Sequence, residues 1–149
     1  MARNSHIGNN TLIDISALEY ILLGDLLDLL EEADGDVGAW KWISEVLDTL
    51  LKTMPREFEL QDQGGYMEEV LEEHPNWQAQ VKNLYEERCE LLVKLKELQI
   101  RMQAARPLKK IADELRHDLR DWISSYIAHQ RHERRLVQDA FNNDIGTAD

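Results

Sequence analysis

The chain of 149 residues carries 29 acidic against 17 basic side chains, a formal net charge of −12, with 43% hydrophobic and 31% charged residues. That length suits one domain with a sizeable core, and the composition is that of a folded chain. The acidic balance argues against a general nucleic-acid or anionic-membrane binder, since both tasks need a positive face. Cys89 is the one cysteine, so neither an internal disulfide nor a cysteine-based zinc cluster is expected. The opening MARNSHIGNN is polar and unsuited to a signal peptide, and no run reaches membrane-spanning length. With only 3 Pro and 7 Gly, a cytoplasmic all-α protein is the expectation.

Residues 1–13 are expected to form a flexible arm, leaving 14–149 as a single domain. Ser16 and Glu19 have capping-box spacing and predict a helix start there, followed by Ile15, Leu18, Leu22, Leu26, Leu29 and Ala33 on one face. Asp34-Gly35-Asp36 reads as a turn, with Asp36 able to cap a second helix whose inner stripe is Trp40, Ile43, Leu47, Leu50, Met54 and Phe58. Pro55 interrupts that stripe and predicts a kink, and Gly64-Gly65 ends it. Tyr66 to Glu73 predicts a short extra helical piece that His74-Pro75 closes, because the residue before proline disfavours helical geometry. Asn76 is a predicted cap for the third helix, which carries the most regular stripe of the chain: Trp77, Val81, Leu84, Arg88, Leu91, Leu95, Leu98 and Met102. The fourth helix is predicted from Pro107 to the Asn142-Asn143-Asp144 break, with Leu115, Leu119, Trp122, Tyr126, His129, Glu133, Leu136 and Ala140 facing inward. Four amphipathic helices with mostly short turns predict an up-down-up-down four-helix bundle.

Arg88 is the anomaly in the third stripe, and His129 and Glu133, four apart, are the anomaly in the fourth. Glu57 and Gln61 repeat that spacing on the second helix. If the levels coincide, the core holds Glu57, Gln61, Arg88, His129 and Glu133 together. Arg88 bridging Glu57 and Glu133 is then the least costly arrangement, since buried charge must be paired. Glu114 and His117 have the Glu-x-x-His spacing of di-iron bundles but flank the stripe and read as a solvated face. His132 reads as exposed, the Arg131, Arg134 and Arg135 patch as a complement to the helix dipole and to acidic neighbours rather than a phosphate site, Cys89 as a small packed hydrophobe, and Trp42 as an exposed residue open to self-association. No phosphate loop, nucleophile elbow or zinc-protease motif is present, so no enzyme is expected.

The segments Glu57 to Tyr66, Glu86 to Leu92, His129 to Glu133 and Gln138 to Phe141 resemble the hemerythrin-like (HHE) family of four-helix bundles, over roughly residues 16 to 145. A bacterial subgroup has His-Phe and an acidic run before Gly-Gly-Tyr in the first of these segments. Members hold two irons by histidines of all four helices and bridging carboxylates. The resemblance implies the fold, and it places ligand positions on Leu26, Glu57, Gln61, Arg88, His129 and Glu133, of which only the last two match. The expected protein is therefore a metal-free binding or regulatory module, monomer or homodimer, with an unidentified protein or small-molecule partner. An altered, carboxylate-rich iron site using His129, Glu133 and Glu57 is the alternative, and a metal-free acid–base enzyme using Glu133 or His129 is a third.

Overall fold

The structure is a computed structural model that describes the backbone of residues 2–32, 37–105 and 108–148, and the side chains of 12–32, 38–105 and 108–142. Among the described residues there is helix and turn and no strand: α1 spans Ala2–Glu32, α2 Val37–Gln63, α3 Tyr66–Glu73, α4 Gln78–Ala104 and α5 Ala112–Ala148. Short 3-10 turns at Pro75–Trp77 and Leu108–Lys110 lead into α4 and α5. The predicted Asp34 to Asp36 turn with its Asp36 cap, Ala33 and Pro107 lie outside the described residues.

Three predicted boundaries are corrected. The first helix starts at Ala2, not Ser16, so the segment expected as an arm is helical. Ser16 and Glu19 cannot be a capping box inside a continuous helix, where the preceding turn already accepts the backbone N–H groups. Asn76 does not cap α4, because the Pro75–Trp77 turn puts Trp77 at that position with no side-chain cap. The last helix continues through Asn142-Asn143-Asp144 to Ala148; Asn and Asp cost only about 0.7 kcal/mol each relative to Ala, too little to stop a helix without proline. α2 runs through Pro55 and ends at Gln63, just before Gly64-Gly65, where the sequence reading ends it.

α2 gives way to α3 at Gly64-Gly65. Gly65 adopts φ +76°, the left-handed conformation that glycine enters without a Cβ clash, and Gly64 N–H caps the Leu60 carbonyl at 3.1 Å. At the other end of α3, His74 stacks on Trp77 and its Nε2 contacts the Ala140 carbonyl of α5 at 3.1 Å.

Helix pairing follows from cross-helix contacts whose residue numbers move in opposite directions. Asp48 meets Gln99 and Asp62 meets Arg88, so α2 and α4 are antiparallel. Arg101 meets Asp118, the Trp122 indole N–H donates to the Leu91 carbonyl, and Arg88 meets Glu133, so α4 and α5 are antiparallel. α1 packs along α2 with Ser16 opposite Glu57; because only four residues join Glu32 to Val37, too few to span the length of a helix, the two run antiparallel, and α1 touches α5 far less.

The interior is divided. Leu26, Leu30, Leu47, Leu50, Leu95 and Leu119 belong to a large apolar cluster drawn from α1, α2, α4 and α5. A smaller one joins Met67 and Val70 of α3 to Val81 and Leu84 of α4 and Leu136 and Ala140 of α5. On α4, Arg88 falls between Leu84 of the small cluster and Leu91 of the large one; on α5, His129 and Glu133 fall between Tyr126 and Leu136. The inward stripes of α2, α4 and α5 are those read from the sequence, whereas that of α1 is displaced. Glu19, Leu23, Leu26 and Leu30 are buried, while Leu18 is 40% exposed. Leucine on almost every side of α1 hides its inner face from a periodicity reading.

This displacement is testable by urea unfolding. Leu26→Ala is expected to cost roughly 2–5 kcal/mol and Leu18→Ala about 0.5 kcal/mol. Equal costs would restore the face read from the sequence.

Candidate functional site: a buried guanidinium layer

Arg88 is 4% exposed, at the centre of α4. A guanidinium cannot shed its proton, so its burial demands acceptors. Nη1 donates to Asp62 Oδ1 at 2.9 Å, and Nη2 donates to Gln61 Oε1 at 3.0 Å and Glu133 Oε1 at 2.7 Å. The rings of Phe58 and Tyr85 lie 4.8 and 5.0 Å from its central carbon, close enough for cation–π attraction. Burial works against the charge, but Glu133 and Asp62 outweigh it and raise the pKa further. The Gly64-Gly65 turn lies directly beyond Asp62, at the end of α2 that supplies both α2 partners of Arg88.

Arg88 does not bridge Glu57, as the sequence reading supposed. Glu57 lies one turn before Gln61 on α2 and faces α1, where Ser16 Oγ donates to it at 3.2 Å; Gln61 Nε2 donates to its other oxygen at 3.4 Å. Beside it is the Glu19 carboxyl, whose Oε2 accepts the Tyr126 hydroxyl at 2.7 Å. Burial first, and then the hydrogen bond and charge of Glu19, push Glu57 up to about 9. Glu57 is therefore protonated at neutral pH, and its proton is the donor left for Glu19 Oε1, which is buried with no other partner. The same burial, with Glu57 and Glu19 near, raises the Tyr126 phenol.

On the far side of Arg88 the network continues through α5. His129 Nδ1–H donates to Glu87 Oε1 at 2.8 Å, and Nε2 stands 3.3 Å from Glu133 Oε2, near enough for charge attraction but off the line of a hydrogen bond. Burial pulls the imidazole down, yet Glu133 and Glu87 outweigh it and raise its pKa; Glu133, despite burial, is lowered by His129 and Arg88. Half-exposed His132 shares Glu87 at 3.1 Å.

All five residues of the predicted cluster thus meet at one layer, linked from Tyr126, Glu19 and Glu57 through Gln61, Arg88 and Glu133 to His129 and Glu87. Comparison with family models, with curated proteins and with solved structures finds no match.

Sequence reasoning missed Ser16, Glu19, Asp62 and Glu87. The signal for Glu19 was its 4-3-4 spacing with Leu23, Leu26 and Leu30; for Asp62 and Glu87 it was adjacency to Gln61 and Arg88. Leu26 is not at this layer: it lies seven residues beyond Glu19, about 10 Å along the axis, in the large apolar cluster. Cys89 is exposed rather than packed, since the residue after Arg88 turns outward. Glu114, His117 and Trp42 are exposed as read.

The layer is reached from two sides. A groove of about 1000 Å³ between α1 and α5 reaches Glu57, Tyr126, His129 and Glu133, and a cleft of about 330 Å³ between α4 and α5 reaches His129, Glu87 and His132. Among the described residues, the only three acidic or histidine side chains whose ligand atoms lie within 4.8 Å of one another are His117, Asp118 and Asp121, away from this layer. Glu57, His129 and Glu133 do not converge, and Glu133 is held by a fixed cation, so this donor set does not fit a di-iron centre.

Glu57 makes stability depend on pH with a definite sign. Its folded pKa of about 9 exceeds the ordinary 4.5, so its contribution is complete below pH 4.5 and is lost as pH rises through 9. Glu57→Gln removes this titration. The variant is expected to gain on the parent by at least about 1 kcal/mol between pH 5 and 9 in denaturant unfolding, while the titrations of His129 and Glu133 are common to both proteins. A pH-independent difference would contradict the protonated Glu57.

Proposed function

We propose that the chain is a metal-free binding or regulatory module, an up-down-up-down four-helix bundle of hemerythrin-like type, in which Arg88 supplies the positive charge that relatives obtain from iron. The observation that carries this reading is the Arg88 guanidinium, buried and paired at 2.7 Å with Glu133, at the layer where the resemblance puts ligands. The antiparallel pairings of α1 with α2, α2 with α4 and α4 with α5 support the bundle. The groove that reaches the layer supports binding, with an unidentified protein or small molecule as the partner. Arg88 spends both of its terminal nitrogens on protein acceptors, which suits a structural charge better than a catalytic one, so the module is read as non-enzymatic.

One observation favours a second reading, an altered carboxylate-rich iron site. His129 Nε2 is buried without a hydrogen-bond partner, as a metal ligand would be. Arg88 opposes it, because a cation beside Glu133 repels a second one.

Metal analysis of protein purified from iron-replete cells separates the two. Less than roughly 0.1 iron per chain after mild chelation is expected, because too few ligands remain to hold it. Stoichiometric iron that survives chelation, with the near-ultraviolet absorption of an oxo-bridged pair, would overturn the metal-free reading.

A further inference from the structure

α1 carries two apolar seams. Glu19, Leu23, Leu26 and Leu30 face the interior. One residue on, about 100° around the helix, Ile13, Ala17, Tyr20, Gly24 and Leu27 repeat at alternating four and three, and all five are exposed. Tyr20 is 81% and Ile13 65% exposed. A Cβ built on Gly24 would meet nothing within 4 Å, so the fold of the single chain gives no packing reason for a glycine there. Large residues seven apart, interleaved with small ones seven apart, form the pattern by which one helix seats its knobs in the holes of another.

The surroundings of the seam specify the occupant. Asp25 and Asp28 of α1 and Arg131 and Arg134 of α5 flank the same groove. None of the four forms an ion pair among the described residues. Because α1 is antiparallel to α2, α2 to α4 and α4 to α5, α1 and α5 run in opposite directions, with Tyr126 level with Glu19. Arg131 and Arg134 therefore sit about level with positions 14 and 11 of α1, some 20 Å from Asp25 and Asp28 along the axis. They cannot pair within one chain.

We propose that the exposed seam of α1 is a homodimer interface, in which α1 of a second copy lies antiparallel across it about a twofold axis between Tyr20 and Gly24. Each Tyr20 then covers the gap at the other copy's Gly24. The second copy's Asp28 comes level with about position 16, within reach of Arg131, and its exposed Glu31 with about position 13, within reach of Arg134. A twofold interface makes each of these pairs twice. In a chain of net charge −12, which otherwise repels its own copies, these arginines place positive charge at the seam. Dimerisation would also cover the groove side of the Glu57 and Tyr126 layer.

Sedimentation equilibrium over roughly 1–300 µM tests the interface. The parent is expected to reach twice the chain mass within that range. Tyr20→Lys is expected to raise the dimer dissociation constant at least tenfold. Asp28→Arg and Arg131→Asp are each expected to do likewise, and the two combined to restore most of the loss, since the reversed charges meet again across the axis. All of these side chains are exposed, and circular dichroism melting verifies that each variant stays folded. A parent that is monomeric throughout overturns the proposal and leaves the seam to a different partner. A dimer indifferent to Tyr20→Lys, or single charge reversals not rescued by the double, overturns it as well.

Discussion

A guanidinium that cannot be neutralised is the least negotiable group in a helical interior. Burying Arg88 obliges α2 and α5 to deliver acceptors at one height, and they do so with Asp62, Gln61 and Glu133. Sliding either helix by a turn, about 5.4 Å, would strand the charge against leucine. Two apolar clusters, each tolerant of small slips because apolar contacts are non-directional, are thereby locked in register by the polar layer between them. Charge burial of this kind adds little net stability, but removing one partner alone is costly because it leaves the other charge buried and unpaired.

The same layer explains why α1 is held differently from its neighbours. Its link to the network is a carboxyl pair rather than an ion pair. Glu19 takes the Tyr126 hydroxyl, and Glu57 must keep a proton to sit beside it. Two ionised carboxylates could not share that space, so the proton acts as the joint between α1 and the rest. The groove between α1 and α5 opens directly onto this joint.

Much of this was legible in the sequence where a helix has one apolar face. The stripes through Met54, Leu95 and Leu119 mark the inner faces of three helices, and the break in the third stripe at Arg88 points to Gln61 and Glu133 as its neighbours but not to Asp62. α1 was misread because leucine and isoleucine occur on nearly all its sides, so that the spacing of Leu18, Leu22 and Leu26 looked as good as that of Leu23, Leu26 and Leu30. The same ambiguity lets Glu19, buried on the true inner face, pass for a cap residue. The partner of Glu57 was misassigned for a related reason: pairing by opposite charge ignores the possibility that an acid, pushed up by burial, pairs with another acid. Exposure of Cys89 follows from helical geometry once Arg88 is known to face inward.

The claim that Arg88 and Glu133 jointly organise the interior is tested most directly by a double-mutant cycle with Arg88→Met and Glu133→Gln, read by urea unfolding at pH 7. A coupling of about 2 kcal/mol or more is expected, with the double variant more stable than the sum of the single losses implies, because each single change abandons a buried charge. Coupling below about 0.5 kcal/mol would mean that the two charges are independently solvated and that the layer holds nothing together.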